Sequence, residues 1–348
     1  MVPLLDTLEL TWHQSSDNTG NQCIEKSQLS SVLDHPRTKH KLSKNSTILR
    51  RKAYAKYKTV ESVLDLIDLH SEFESRYWDT FHCCETIEVQ GQYITGHYCG
   101  NRWCRVCGRI LTAKLIQAYK PALSNFQNPW FVTLTIVNVT ESELAPAIKK
   151  MVQTFNKINH NFRHRRPYRI FGIRKIEVEP SEHKGEYHPH FHVILESECV
   201  AQALIQEWLL SYPTADIRGQ DATKCDPGSL AEFFKYTTKP VVKTKSGDPE
   251  KKNHTAYQLD VIYRSLDKKR IFQPIGIKKA PPGTEEIEGI RAQRIPDLKF
   301  LQLKECEIWT WKQEYKDWIS LFGDRLSHYK MNKELPGYIS TPGYCRRN

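Results

Sequence analysis

No stretch of the chain approaches the roughly 18 consecutive apolar residues that a membrane-spanning helix requires, which sets aside a helical membrane protein. The first residues, MVPLLDTLELTWHQ, contain acidic side chains and lack both a basic leader and a continuous apolar run. They do not read as a secretory signal, so a cytoplasmic location and no membrane partner are expected. No internal repeat is found, which sets aside repeat architectures. Acidic residues are short relative to basic ones, 40 against 51, leaving a net charge of +11. Such an excess favours a polyanionic partner, although charge alone does not choose between nucleic acid and an anionic surface.

What is present suits a folded protein. Hydrophobic residues make up 39% and aromatics 11%, enough to set aside a wholly disordered chain. At 348 residues a core domain with one or two appendages is expected. Ten cysteines in a chain with no export signal read better as metal ligands plus scattered thiols than as disulfides. Five fall between residues 81 and 108, whereas Cys23, Cys199, Cys225, Cys306 and Cys345 stand alone.

Residues 1–58 are polar and end in KHKLSKNSTILRRKAYAKYK, a basic stretch that includes Arg50, Arg51, Lys52 and Lys56. It reads equally as a solvated linker or as an arm that contacts DNA. Apolar residues at Val60, Val63, Leu64, Ile67 and Phe73 follow helical spacing. A helix at 110–125, a strand at 130–138, and a helix opened by the Thr140/Glu143 capping box come next. Two strands, 169–179 and 188–196, form a hairpin; a further helix, a short strand near 215–219 and a helix near 229–238 complete the pattern. This β-α-β-β-α-β-α order predicts an α+β fold with a central antiparallel sheet flanked by helices, resembling a ferredoxin-like layout. A helical segment near 255–268 and a Trp-rich helical tail with Trp309, Trp311 and Trp318 close the chain. The predicted parts are an arm (1–58), a helical Cys-rich module (59–125), a catalytic domain (126–275) and a C-terminal helical extension (276–348).

Side chains two apart on a strand share a face, so His190 and His192 in HPHFHVILE can offer two imidazoles to one ion and leave positions open for phosphate oxygens. His188 shares their parity but is read as substrate-facing or supporting, because Pro189 bends the strand start. Glu177 and Glu179 on the neighbouring strand share one parity, and either could add a carboxylate. In SLAEFFKYTTKP, Glu232 and Tyr236 lie one helical turn apart, with Lys235 and Lys239 flanking the tyrosine. Only about one phenol in a thousand is ionised at pH 7, a deficit of roughly 4 kcal/mol that a nearby cation could offset. Cys99, Cys104 and Cys107 form C-x4-C-x2-C, and Cys83 or Cys84 upstream could complete a closed tetrahedral zinc site, with His82 and His97 as further alternatives.

FVTLTIVN (131–138), HPHFHVIL (188–195) and EFFKYTTK (232–239) together resemble, in order and spacing, the motifs of HUH endonucleases. The likeness is to the single-tyrosine rolling-circle initiators of small bacterial plasmids, and it covers roughly residues 81–275. It implies His190, His192 and Glu177 as ligands of Mn²⁺ or Mg²⁺, Tyr236 as nucleophile, Glu232 as base for a terminating water, and Lys239 as a phosphate-neutralising group. It implies a 5′-phosphotyrosine and a free 3′-hydroxyl primer, with single-stranded or hairpin origin DNA as substrate. Host helicase and replication machinery are the implied partners, and a homodimer is compatible with it. The cysteine stretch resembles the one such initiators carry, with Arg102 matching an arginine; that match implies Zn²⁺ on Cys84, Cys99, Cys104 and Cys107. Arg105 departs from the pattern, where relatives often have proline, without removing a ligand.

Two rival readings stand: a transposase or relaxase of the same chemistry, many of which use a second tyrosine that the third motif lacks, and a zinc-containing DNA-binding protein without catalysis. An amidohydrolase barrel is discarded, since too little chain follows the histidines.

Overall fold

In the computed structural model, residues 47–90, 93–181, 185–226, 229, 233–234, 241–242, 252–253, 255–278, 292–294 and 307–328 are described. All belong to the unit Leu42–Asn348, and the other unit, Met1–Lys41, contains none of them. The amino-terminal part runs α1 (Thr47–Ile67), α2 (Glu74–His82), β1 (Thr86–Gln90), β2 (Tyr93–Gly96) and α3 (Arg105–Leu123). The middle runs β3 (Trp130–Thr135), β4 (Val139–Thr140), α4 (Glu141–Arg165), β5 (Gly172–Pro180), β6 (Glu186–Leu195), α5 (Glu198–Ser211) and β7 (Asp221–Lys224). After it come β8 (Val241–Val242), β9 (Lys252–Asn253), α6 (Ala256–Ser265), β10 (Phe272–Ile275), β11 (Ala292–Arg294), β12 (Glu307–Lys312) and β13 (Asp317–Ser320).

The fold is α+β with antiparallel sheets. The larger has strand order β10-β5-β6-β3-β7, so the second hairpin strand, β6, lies between β3 and its own partner β5, a split β-α-β arrangement. The short strand expected near 215–219 begins later, because the Asp216 side chain accepts from Arg218 N and caps a 3-10 turn at Ile217–Gly219 ahead of β7. On one face, α4 lays down the expected stripe of Leu144, Ile148, Met151, Phe155, Ile158 and Phe162, all buried, and Glu143 accepts from Thr140 N at 3.0 Å. Phe191 of β6 meets Phe155 edge-on at 5.6 Å and Trp208 of α5 at 5.7 Å. At about 0.8 kcal/mol per buried methylene this interdigitated face is a main source of stability. The opposite face carries the odd-numbered residues of β5 and the even-numbered residues of β6.

Two differences from the sequence reading concern the ends. Residues 47–58, expected inside the basic arm, are the first turns of α1. The buried stripe of α1 is Leu49, Ala53, Lys56, Val60, Val63 and Ile67, a regular 3- and 4-residue spacing that Lys56 interrupts on paper. The Trp-rich tail, expected as helix, is strand: Trp309 and Trp311 sit two apart on β12, and Trp311 pairs with Trp318 of β13. β12 joins β1, with Ile87 opposite Trp309, in the second sheet, β11-β2-β1-β12-β13. Among the described residues of 276–348 there is no helix. A second apolar cluster forms there, in which Leu49, Ile87, Ile94, Trp309 and Trp318 surround the cysteines.

Candidate metal sites

β5 and β6 pair so that Glu177 lies opposite His190 and Lys175 opposite His192; antiparallel pairing of equal parity brings all four side chains onto one face. The Glu177 Oε2 atom is 3.5 Å from His190 Nε2 and 3.3 Å from His192 Nε2. Donors about 2.1 Å from one ion stand about 3.0 Å apart in octahedral and about 3.4 Å in tetrahedral geometry. The trio therefore fits a divalent cation, with all three donor atoms within 4.8 Å of one another.

The surroundings prepare these groups. His190 Nδ1 donates to the His188 carbonyl at 3.1 Å, which leaves Nε2 as the ring's acceptor. His192 Nδ1 lies 3.2 Å from Thr133 Oγ1, and His188 Nδ1 lies 2.9 Å from Asn138 Oδ1. Burial disfavours the Glu177 carboxylate, but Lys175 and the two histidines outweigh it and hold the carboxyl well below the usual range. Burial lowers the His192 ring, only partly opposed by Glu177, so the neutral, ligating form is favoured. His188 is lowered by burial and then by His190. Glu179 pairs with His188 at the strand end and stands outside the trio.

Glu232, Tyr236 and Lys239 lie outside the described residues, but Phe233 and Phe234 are described and buried. Phe233 meets Phe131 edge-on at 6.2 Å and Phe272 at 5.8 Å, and Phe234 stacks on Phe272 at 5.9 Å. Phe131 is itself 4.9 Å from the His192 ring, and Phe272 is opposite Lys175. Two residues of the third motif thus lie over the face that carries the histidines. The sequence reading passed over Lys175 and Phe131; the signal for Lys175 was its strand parity with Glu177.

The second cluster brings together Cys83, Cys99, Cys104 and Cys107. Sulfur separations are 3.5 Å for Cys83–Cys107, 3.6 Å for Cys83–Cys104 and 3.7 Å for Cys99–Cys107. Four sulfurs about 2.3 Å from a central zinc stand about 3.8 Å apart, so the set fits a tetrahedral thiolate site. Cys83, not the expected Cys84, is the fourth member. Cys84 has a left-handed backbone, φ 57°, and donates its N–H to His97 O at 2.6 Å; its buried thiol leads away toward Gly96. His82 and His97 are not members of the group, and His82 contacts Glu85 at 2.7 Å instead. Hydrogen bonds from Cys104, Cys107 and Cys83 converge on Cys99 and lower it. Burial raises Cys104.

Lys52 and Lys56 lie in this module rather than on a DNA-facing arm. They are 5% and 1% exposed; Lys52 donates to Tyr98 Oη and Lys56 to Phe81 O at 2.5 Å. Burial lowers both ammonium groups, against the pull of nearby cysteines. Arg50 and Arg51 are half-buried on the same helix, and the Arg51 carbonyl accepts from Arg109 at 2.8 Å. Arg102 donates to Leu266 O at 2.8 Å and Lys269 O at 2.6 Å, tying the cysteine loop to the segment that leads into β10. No helix among the described residues is long and apolar enough to cross a membrane.

Comparison with known proteins points the same way as the motifs. Residues 90–204 match the family described as "Replication protein". The chain is 29% identical over 127 residues to a "Protein rep" of Bacillus amyloliquefaciens, covering 32% of this chain and 37% of that protein. It is 28% identical over 141 residues to a "Protein rep" of Staphylococcus aureus, covering 39% and 58%. The match therefore spans less than two thirds of these relatives. No solved structure matches. The likeness to that family covers residues 90–204, and these findings support the class the motifs resemble, the rolling-circle plasmid replication initiators.

Proposed function

We propose that the chain initiates rolling-circle replication of a plasmid by nicking one origin strand with Tyr236, on a fold of the HUH endonuclease type. The observation that carries this reading is the Glu177, His190 and His192 trio on one sheet face, with Phe233 of the tyrosine segment packed beside it. Bound there, Mn²⁺ or Mg²⁺ would neutralise negative charge developing on the scissile phosphate. The Tyr236 oxygen attacks phosphorus and loses its proton. The bond from phosphorus to the 3′-oxygen breaks, and that oxygen takes up a proton to become the 3′-hydroxyl primer. The 5′-phosphotyrosine conserves the phosphodiester for rejoining. Glu232 then takes a proton from the water that ends the cycle, and Lys239 offsets phosphate charge.

In this reading residues 126–275 hold the nuclease, and zinc on Cys83, Cys99, Cys104 and Cys107 fixes the module before it. Single-stranded or hairpin origin DNA is the substrate, a host helicase follows the nick, and the chain works in the cytoplasm, alone or as a homodimer. The deciding experiment incubates the full-length chain with Mn²⁺ and labelled single-stranded origin oligonucleotides. A covalent protein–DNA band is expected, and Tyr236→Phe should abolish it. Normal nicking by that variant, or no adduct from the unaltered chain, rejects the proposal.

A further inference from the structure

Lys175 is 2% exposed on the same sheet face as the trio, directly opposite His192 on β6 and Phe272 on β10. Its Nζ pairs with Glu177 Oε1 and stands 5.6 Å from the centre of the Phe272 ring. The other carboxylate oxygen, Oε2, is the one that faces both histidine Nε2 atoms. The two oxygens of one carboxylate are thus divided between an ammonium group and the ligand cluster.

We propose that Lys175 is a positioning residue that holds Glu177 turned so that one oxygen, and only one, is presented to a divalent cation. This rests on the trio being the metal site proposed above. The division has a chemical consequence. A carboxylate free to rotate can chelate through both oxygens and occupy two positions, whereas a clamped one occupies one. Three single-donor ligands then leave half of an octahedral sphere for phosphate oxygens and water, as a nicking site needs.

Stability alone does not account for the pair. Desolvating two opposite charges costs about what their attraction returns, and two apolar side chains of similar volume would serve a buried sheet face at least as well. Coulomb repulsion between Lys175 and a cation, taken alone, would weaken metal binding. The sign of the effect of removing the lysine therefore separates its two conceivable roles. A mere neighbouring charge, once removed, leaves the metal bound more tightly; a positioning group, once removed, leaves it bound more weakly.

The test measures Mn²⁺ affinity of the full-length chain by calorimetry and by the free-Mn²⁺ resonance signal, without DNA, for the unaltered protein, Lys175→Met, Lys175→Arg, Glu177→Gln and the Lys175→Met/Glu177→Gln double variant. Partners that orient metal ligands typically account for about 10- to 100-fold in affinity, and a loss of that size is expected for Lys175→Met, with Lys175→Arg restoring most of it. Because Lys175 acts through Glu177, its removal should cost nothing further in the Glu177→Gln background. That comparison holds even if Lys175→Met alone fails to fold, since the double variant leaves no unpaired buried charge. Equal or tighter Mn²⁺ binding by a folded Lys175→Met, or the same loss in both backgrounds, overturns the role of Lys175 while leaving the metal site intact. If the unaltered protein binds no Mn²⁺, the metal reading falls and the inference falls with it.

Discussion

The sheet-face trio and the cysteine cluster both have the spacing of a metal centre, and they differ in closure. The trio offers three donors of two kinds, with the His192 side chain 20% exposed. The cluster offers four thiols, and its Cys104 and Cys107 are wholly buried. An octahedral ion on the trio keeps open positions; a tetrahedral ion on the cluster keeps none. The neighbours differ to match. Glu177 has a buried lysine that balances its single charge, whereas the cysteines have two, Lys52 and Lys56, beside a set that would carry a net charge of about −2 when loaded with zinc. Within one chain, the open set suits a substrate atom and the closed set suits holding α1, α3 and the second sheet together.

The largest effect that would break this contrast is at the closed set. Cys107→Ser removes one of the four donors, and loss of zinc with a destabilisation on the order of 5 kcal/mol is expected. Zinc content per chain and thermal melting measure it; a variant that melts as the unaltered protein would make the cluster dispensable. Cys83→Ser should behave likewise, whereas Cys84→Ser should keep its zinc. Next comes the open set. His192→Ala should lower Mn²⁺-dependent nicking by several kcal/mol of barrier, on the order of a thousandfold, and change the melting temperature little. If nicking survives and folding fails, the two assignments are reversed.

The sheet was legible because its signals are local. The Thr140 capping box, the stripe from Leu144 to Phe162 and the alternation in HPHFHVIL each needed only near neighbours in the chain, and the histidine parity followed from pleating. The cysteine module was less legible. Choosing Cys83 over Cys84 depends on one left-handed backbone at Cys84, which two adjacent identical residues do not reveal. The start of α1 was hidden because Lys56 occupies a core position of its stripe, and a lysine reads as solvent-facing until a buried acceptor such as Phe81 O is in place. The tail was misread because Trp309 is partnered by Ile87 of β1, more than 200 residues earlier in the chain.

Lys56 also gives the third test. A lysine that contacts phosphate lowers the salt slope of DNA binding by about one unit when it is removed. A buried one instead costs packing and a hydrogen bond, about 1 to 3 kcal/mol of stability. Lys56→Met should therefore shift the urea midpoint and leave the salt slope of single-stranded DNA binding unchanged. A drop in slope with unaltered stability would return Lys56 to a DNA-contacting role.

The smallest effect concerns pH, and it sharpens what kind of ligand the open set offers. Burial lowers the His192 ring below its ordinary value of 6.5, with Glu177 opposing only in part. A ring that binds its proton more weakly folded than unfolded adds stability that is complete above 6.5 and is lost as pH falls through the lower, folded value. Glu177 has its carboxyl held well below 4.5, so in the folded chain it stays ionised across this window, and its own slope sets in only as the unfolded carboxyl begins to titrate near the ordinary carboxylate range. Metal-free protein unfolded in urea from pH 7.5 to 5 should therefore lose stability on acidification, and His192→Gln should flatten that loss. Mn²⁺ affinity should fall over the same interval, because proton and metal compete for one imidazole nitrogen. A stability that rises on acidification would mean that His192 is charged in the folded site, and a charged imidazole has no lone pair to offer a cation.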